Sequence, residues 1–303
     1  MEQLEPLERL ELPPALMSFL APFEYEFFRN GFIAAVAVGA LCGFIGVYVV
    51  LRRMSYIGHG LSHAIFGGAV LSYMMNVNFF IGAGLWALFA GFLIHLISHR
   101  RWVGADAAIG VVTTSSFALG VAIVSTYRSF TRNIEAALFG NILGITQKDL
   151  WIVVIMALAV SGALFIMRRQ LLFATFDPEV ASAYGVSTGK IDLIFITLLA
   201  VTVLASTQIL GVTLVAAAMV IPPVIARYLT SRFQTLLILS PLIGILCGAA
   251  GMYLSFYLDI SSAATIVLTS AGLFIFLEIL FWFRRQQRSR SPAARVDRTC
   301  DFR

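Results

Sequence analysis

Nine stretches of this chain are apolar for long enough to cross a lipid bilayer, or nearly so, and no other feature constrains the fold as strongly. They fall at 28–51, 60–78, 79–98, 107–126, 150–168, 191–208, 209–228, 235–257 and 262–283. A helix needs about 20 apolar residues to span the hydrocarbon core, where every backbone N–H and C=O must be paired within the segment. The block 191–228 is too long for one span and divides near Thr207-Gln208, where small and polar residues interrupt it. Asn76 and Asn78 mark a tight turn between two runs that nearly touch. Composition agrees with the pattern. The chain is 59% hydrophobic and 12% charged, whereas soluble domains are about a quarter charged. The expected class is an all-α, polytopic membrane protein with about nine transmembrane helices, eight being the next count.

Charge sets the orientation. With nine spans, Arg52-Arg53, His99-Arg100-Arg101, Arg168-Arg169 with Lys190, Arg227 with Arg232, and the tail from Arg284 all share one side. The other side keeps Arg128, Arg132 and Lys148 near the membrane. Cytoplasmic loops carry the excess of Lys and Arg, so the rich side and the C-terminus are expected inside. The net charge of +5 therefore belongs to the ends of spans and is no nucleic-acid signal. The expected organisation is an extracytoplasmic or interfacial tail over 1–27, a transmembrane domain over 28–283 with a cytoplasmic segment at about 171–190, and a basic cytoplasmic tail over 284–303. The acidic, Pro-containing start (Glu2, Glu5, Glu8, Glu11, Pro13, Pro14) has the wrong polarity for a secretory n-region. Cys42, Cys247 and Cys300 are too scattered for a disulfide framework or a metal clamp.

Small residues recur at helix-contact spacing, at Gly39, Gly43 and Gly46 and again at Gly244, Gly248 and Gly251. Such spacing lets helix backbones approach closely in lipid and reads as packing. Pro222-Pro223 is expected to interrupt the hydrogen-bond ladder of its span as a kink or hinge. Two hydrophilic segments separate the spans. The outer one, 127–149, contains Ala136-Ala137-Leu138-Phe139-Gly140-Asn141-Ile142-Leu143-Gly144, which suits an interfacial or re-entrant helix. The inner one contains Phe176-Asp177-Pro178-Glu179-Val180-Ala181-Ser182-Ala183-Tyr184-Gly185. Asp177 can cap a helix, Pro178 suits its first turn, Glu179 complements its dipole and Gly185 can close it. So well defined a helix outside the membrane favours docking over a plain loop.

His59 and His63, four residues apart, share one face of a helix. Neutral imidazoles at that spacing supply half of a tetrahedral metal site. Intramembrane ionisable groups usually face a cavity or pathway. The alternative is that His59 snorkels beside Arg52 and Arg53. His95 and His99 repeat the spacing, but His99 adjoins Arg100-Arg101 and suits the headgroup layer. Asp106 reads as a helix cap, and Glu278 sits inside the last span, either lining a cavity or reaching inward. Gly185-Val186-Ser187-Thr188-Gly189-Lys190-Ile191 falls short of a phosphate-binding loop. Its glycines are one residue too close, and Ile191 replaces the magnesium-binding hydroxyl.

Six blocks in register resemble the integral-membrane permease family of zinc, manganese and iron ABC importers. They are Arg52-Arg53-Met54-Ser55 with Leu61-Ser62-His63-Ala64; Gly104-Ala105-Asp106-Ala107-Ala108-Ile109-Gly110; Leu138-Phe139-Gly140-Asn141-Ile142-Leu143; Phe176-Asp177-Pro178-Glu179-Val180-Ala181; Gly211-Val212-Thr213-Leu214-Val215-Ala216 with Ile221-Pro222-Pro223-Val224-Ile225-Ala226-Arg227; and Tyr257-Leu258-Asp259-Ile260. The resemblance covers roughly 28–283. It implies a type II ABC importer-like permease in a bacterial plasma membrane, with no enzymatic activity and no permanent cofactor of its own. The implied partners are a second copy of the chain, cytoplasmic ABC ATPase subunits that hydrolyse ATP, and an extracytoplasmic metal-binding protein. The segment Asp177, Pro178, Glu179, Val180, Ala181 and Gly185 looks like the family's coupling segment, and His63 matches its pathway histidine. The family usually carries an aspartate where this chain has His59. Two imidazoles lean toward zinc, iron or another borderline metal, whereas an Asp/His pair also suits manganese. A dimer axis beside this span would bring four imidazoles together, and protonation would weaken binding as pH falls through about 6.5. The competing classes are an ion-gradient-driven transporter, which would show inverted repeats, and a membrane metalloenzyme, which would need a third ligand and a general base.

Overall fold

The computed structural model describes residues 20–98, 104–126 and 138–290. The expectations for His99, Cys300 and most of the two tails lie outside them. After a 3-10 turn at Ala21–Glu24 come α1 (Glu26–Leu51), α2 (Ser55–Met74), α3 (Phe79–Ser98) and α4 (Ala105–Thr126). A second 3-10 turn at Ile142–Gly144 precedes α5 (Gln147–Phe176), α6 (Pro178–Ala183), α7 (Thr188–Leu229), α8 (Phe233–Leu258) and α9 (Ser262–Arg290). Local signals set the boundaries. Asn76 takes the left-handed turn between α2 and α3 at φ 53°. The Asn78 side chain accepts the Phe80 N–H at 2.9 Å, and the Thr146 hydroxyl caps α5 by accepting the Asp149 N–H at 3.2 Å.

Seven of the described helices are long and apolar enough to cross a membrane. That set omits α2, whose apolar character is diluted by Gly, Ser and His. It need not face lipid, because α3, α4 and α7 pack around it. The set also counts α7 once, although Gly211 breaks it with φ 76° and ψ 161°. A straight helix would place Asp192 and Pro223 about 46 Å apart at 1.5 Å per residue. Yet Asp192 pairs with Arg52 at the end of α1, and Pro223 lies against Gly46 of the same helix, a rise of only about 9 Å. The element therefore folds back at Gly211 into two arms. Counting both arms and α2 gives the nine spans read from the sequence.

The reversal sits three residues beyond the expected division at Thr207-Gln208, because the break needs a residue that tolerates positive φ. Gly140, at φ 80°, faces Gly211 so closely that a Cβ on either would overlap the other's backbone. Around this contact the outer segment satisfies the broken ladder. The Asn141 N–H donates to the Gln208 carbonyl at 3.2 Å, and the Thr213 hydroxyl donates to the Leu138 carbonyl at 2.9 Å. Irregular backbone at membrane depth survives where protein buries it, and Gly211 is buried. The expected interfacial or re-entrant helix is, among its described residues, a 3-10 turn whose flanking backbone packs on the bend of α7. Pro222 and Pro223 lie inside the second arm and are buried, and the non-helical dihedrals fall at Gly211 instead. The Met219 carbonyl, whose i+4 partner is Pro223, points at Gly46, where a side chain would strike it.

The centre of the protein is α1 and α7, with α8, α5 and α2 packed on them. The glycine spacing resolves into backbone contact. Gly39 abuts Gly244, Gly248 abuts Ala35, and Gly43 meets Ser240 and Pro241. The Ser240 hydroxyl donates to the Gly43 carbonyl at 2.6 Å. With lipid as apolar as any side chain, such close approach and interhelical hydrogen bonds hold helices together.

Candidate functional site

Near its start, α2 is buried at Ile57, Gly58, Gly60, Leu61, Ser62 and Ala64, while Tyr56, His59 and His63 form its open stripe. Buried neighbours fix the helix's rotation, so both imidazoles must face the same way. Their Nε2 atoms stand 3.2 Å apart. Two nitrogens bound to one tetrahedral ion at about 2.0–2.1 Å stand about 3.3–3.4 Å apart, so the pair already spans one edge of a coordination shell. The His63 ring rests edge-on against Phe117 at 5.1 Å between centroids, and Tyr56 approaches His59 at 6.5 Å. The stripe opens into a cavity of about 510 Å³ whose other wall is α4. Asp106, Thr113, Thr114 and Phe117 line that wall.

Donor and acceptor roles follow from the distance. An Nε2–Nε2 contact at 3.2 Å is a hydrogen bond when one ring carries its proton there and the other offers a lone pair. An ion taken up by both nitrogens displaces that proton, and release restores the hydrogen bond. The pair is therefore satisfied by its own hydrogen bond. Among the described residues, no group of three or more His, Cys, Asp or Glu side chains is arranged to hold a metal. One chain brings two imidazole nitrogens together.

The remaining candidates separate. Asp106, read from sequence as a cap, lies in the first turn of α4 and lines the histidine cavity. His95 lies in a different cavity of about 320 Å³, with Arg52, Thr175 and Asp192. Glu278 lies on the exposed face of α9. The helix expected after Phe176 is α6. The Asp177 carboxylate accepts the Val180 N–H at 3.0 Å, Pro178 opens the helix and Gly185 follows it at φ 79°. Ala181 is buried, whereas Phe176 and Tyr184, flanking the helix, are 66% and 78% exposed.

Sequence reading missed a polar knot beside this helix. The Arg52 guanidinium donates to Asp192 at 2.6 Å and to the Thr175 hydroxyl at 3.0 Å, and it lies 4.6 Å from the centre of the Phe195 ring. It joins the end of α1, the end of α5 just before α6, and the start of α7 just after it. The available signal was Asp192, an ionisable residue at the edge of an apolar run. Arg52 itself was legible as an orienting charge and as part of a family-like block, but not as the centre of a polar cluster.

Comparison with known proteins agrees with this architecture. Residues 24–281 match the ABC 3 transport family. The manganese transport system membrane protein MntC of Halalkalibacterium halodurans is 34% identical over 87% of this chain and 89% of its own length. The manganese import system permease protein ScaB of Streptococcus parasanguinis is 32% identical, over 89% and 95%. The chelated iron transport system membrane protein YfeC of Yersinia pestis is 34% identical, over 84% and 87%. In structure, PsaBC from Streptococcus pneumoniae in complex with Fab superposes with a TM-score of 0.76 at 28% identity, covering 86% of this chain and 94% of that one. With that match over most of its length, this chain belongs to the ABC 3 transport family.

Proposed function

We propose that the chain is the permease subunit of an ATP-driven importer for divalent first-row metal ions, with His59 and His63 as the ligands that pass the ion across the membrane. The observation that carries this reading is the convergence of two Nε2 atoms at 3.2 Å on the open stripe of an otherwise packed helix. Relatives named for manganese and for chelated iron support the cargo class. Here two imidazoles extend it toward zinc, because nitrogen ligands suit borderline ions. A half-site of two ligands is completed by a second copy across a two-fold axis beside α2 and α4, giving four imidazoles.

In this reading the C-terminus and α6 are cytoplasmic, as the charge bias favours. The ATPase subunits dock on α6, and the metal-binding protein delivers from the outer side. Arg52 ties the ends of α5 and α7 that flank α6 to the end of α1, three residues before α2 begins. Movement of α6 is thereby transmitted toward the histidine helix. The test is uptake of zinc and manganese by vesicles holding the permease, its ATPase and its binding protein. Uptake should require ATP and the ATPase, and should be lost in His63→Ala at equal membrane expression. ATP-independent uptake along an ion gradient would reject the reading.

A further inference from the structure

A second cavity, of about 660 Å³, has no part in the histidine site. It is a cleft between α5 and α8, floored by α1. Its walls follow helical spacing: Ser161, Phe165, Arg168, Arg169 and Leu172 from α5, and Phe233, Gln234, Leu237, Ile238 and Pro241 from α8. The floor is the half-buried pair Ala40 and Phe44, one turn apart on a helix that is otherwise mostly buried. Polar chemistry is concentrated toward one end, at Arg168, Arg169 and Gln234, and most of the remaining lining is apolar.

The two arginines are available. Among the described residues the one ion pair is Arg52–Asp192, so neither is neutralised by a carboxylate. Arg168 is held in place, with its guanidinium 4.2 Å from the centre of the Phe165 ring inside the cleft. Both residues fall in α5 eight or nine positions before Asp177, at the depth where a spanning helix meets the headgroups. An apolar trough in a membrane-spanning surface, closed at headgroup depth by two uncompensated cations, has the complement of one ligand class. Its tail is a hydrocarbon chain and its head an anion.

We infer that this cleft binds an anionic phospholipid of the inner leaflet, its phosphate on Arg168 and Arg169 and an acyl chain along Phe44, Leu237 and Ile238. The assignment to the inner leaflet rests on the orientation proposed above; the binding chemistry does not. A bound lipid would brace the end of α5 that leads into the docking helix, so its presence would tune coupling as well as stability.

The experiment uses the full chain in detergent, titrated with phosphatidylglycerol or with phosphatidylcholine of the same acyl chains. Retained lipid is counted by native mass spectrometry and melting is followed in parallel. Phosphatidylglycerol should be retained and should raise the melting temperature more than phosphatidylcholine does. Arg168→Gln/Arg169→Gln should weaken its retention roughly 30-fold, at the free energy typical of two basic residues near an anionic surface. Arg168→Lys/Arg169→Lys should keep most of it. Ile238→Trp, which obstructs the trough and leaves the charge alone, should lower retention of both lipids, whereas Lys190→Gln should change neither. Equal retention of the two lipids would overturn the proposal, as would an equal loss in Lys190→Gln, or a lipid-insensitive dimer cross-linked through the cleft. Reporter fusions at the C-terminus test the orientation separately, so the leaflet can fail without the site.

Discussion

Arg52 and His63 stand eleven residues apart, and the polar groups around them are built on opposite principles. Arg52 has an 8% exposed side chain and is closed in by a carboxylate, a hydroxyl and an aromatic face, drawn from α5 and α7. His59 and His63 belong to one helix, bond to each other, and otherwise meet ring edges and an open cavity. A buried charge is tolerable only when partners replace its water. The histidine pair is held by one exchangeable N–H···N contact, which a competing Lewis acid can replace without leaving a buried charge unpaired. The first arrangement is closed on all sides and the second faces an open cavity, although both place ionisable groups in an apolar chain.

The contrast breaks most visibly in variants that exchange one consequence for the other. His63→Ala is expected to lower metal uptake by at least about 100-fold, the upper end of what even outer-shell partners of a metal ligand cost. Its melting temperature should hardly move, since the ring faces a cavity. Arg52→Ala is expected to act through the fold, at about 2–3 kcal/mol in denaturant-titrated unfolding. That is below the range for a fully buried pair, because Asp192 is 38% exposed and water screens it. In Arg52→Ala/Asp192→Ala the loss should fall short of the sum of the single losses by about 1 kcal/mol, the signature of a direct pair. An Arg52→Ala protein of unchanged stability that fails to transport would merge the two constellations into one functional unit.

How much of this was legible in advance depended on whether the signal was local. The helix at Pro178–Ala183 was fully legible, because Asp177, Pro178 and Gly185 act on backbone within a few residues of themselves. The span count was legible because bilayer thickness imposes a length. The histidine pair was legible as a shared face, since i and i+4 geometry belongs to any helix. Whether that face was open was not, because openness is decided by what α3, α4 and α7 leave uncovered. The break at Gly211 shows the limit most plainly. Pro222 and Pro223 are the louder local breakers, yet the break falls at a glycine that another glycine, Gly140, is positioned to face. That choice is made across seventy residues of chain. Arg52 is the same case. Its role depends on Asp192 and Thr175, neither of which lies near it in sequence.

A smaller effect sharpens the nature of the open site. His59→Asp restores the carboxylate that the family resemblance leads one to expect at this position. Hard oxygen ligands suit manganese and imidazoles suit zinc, so the variant should shift the ratio of zinc to manganese uptake about 10-fold toward manganese. Competition uptake in the reconstituted vesicles measures this without dependence on expression level. An unchanged ratio would remove His59 from the ligand set and leave His63 with its partner-chain equivalent.

The smallest expected effect lies at α6, where a third polar arrangement stands between the closed and open kinds. Among the described residues the Asp177 carboxylate has one hydrogen-bond partner, the Val180 N–H, and its helix is six residues long. A helix this short does not persist on its own propensity; the cap and the burial of Ala181 hold it. Asp177→Ala should therefore cost about 1 kcal/mol locally, which is too little to shift global unfolding but comparable to what keeps the helix formed. The expected result is a roughly fivefold weaker stimulation of the ATPase by the permease, with zinc binding to the histidines unchanged. Asp177→Asn, which keeps a capping oxygen, should restore most of the stimulation. If Asn fails as Ala does, the carboxylate touches the ATPase itself, and Asp177 belongs with the groups kept open for a partner.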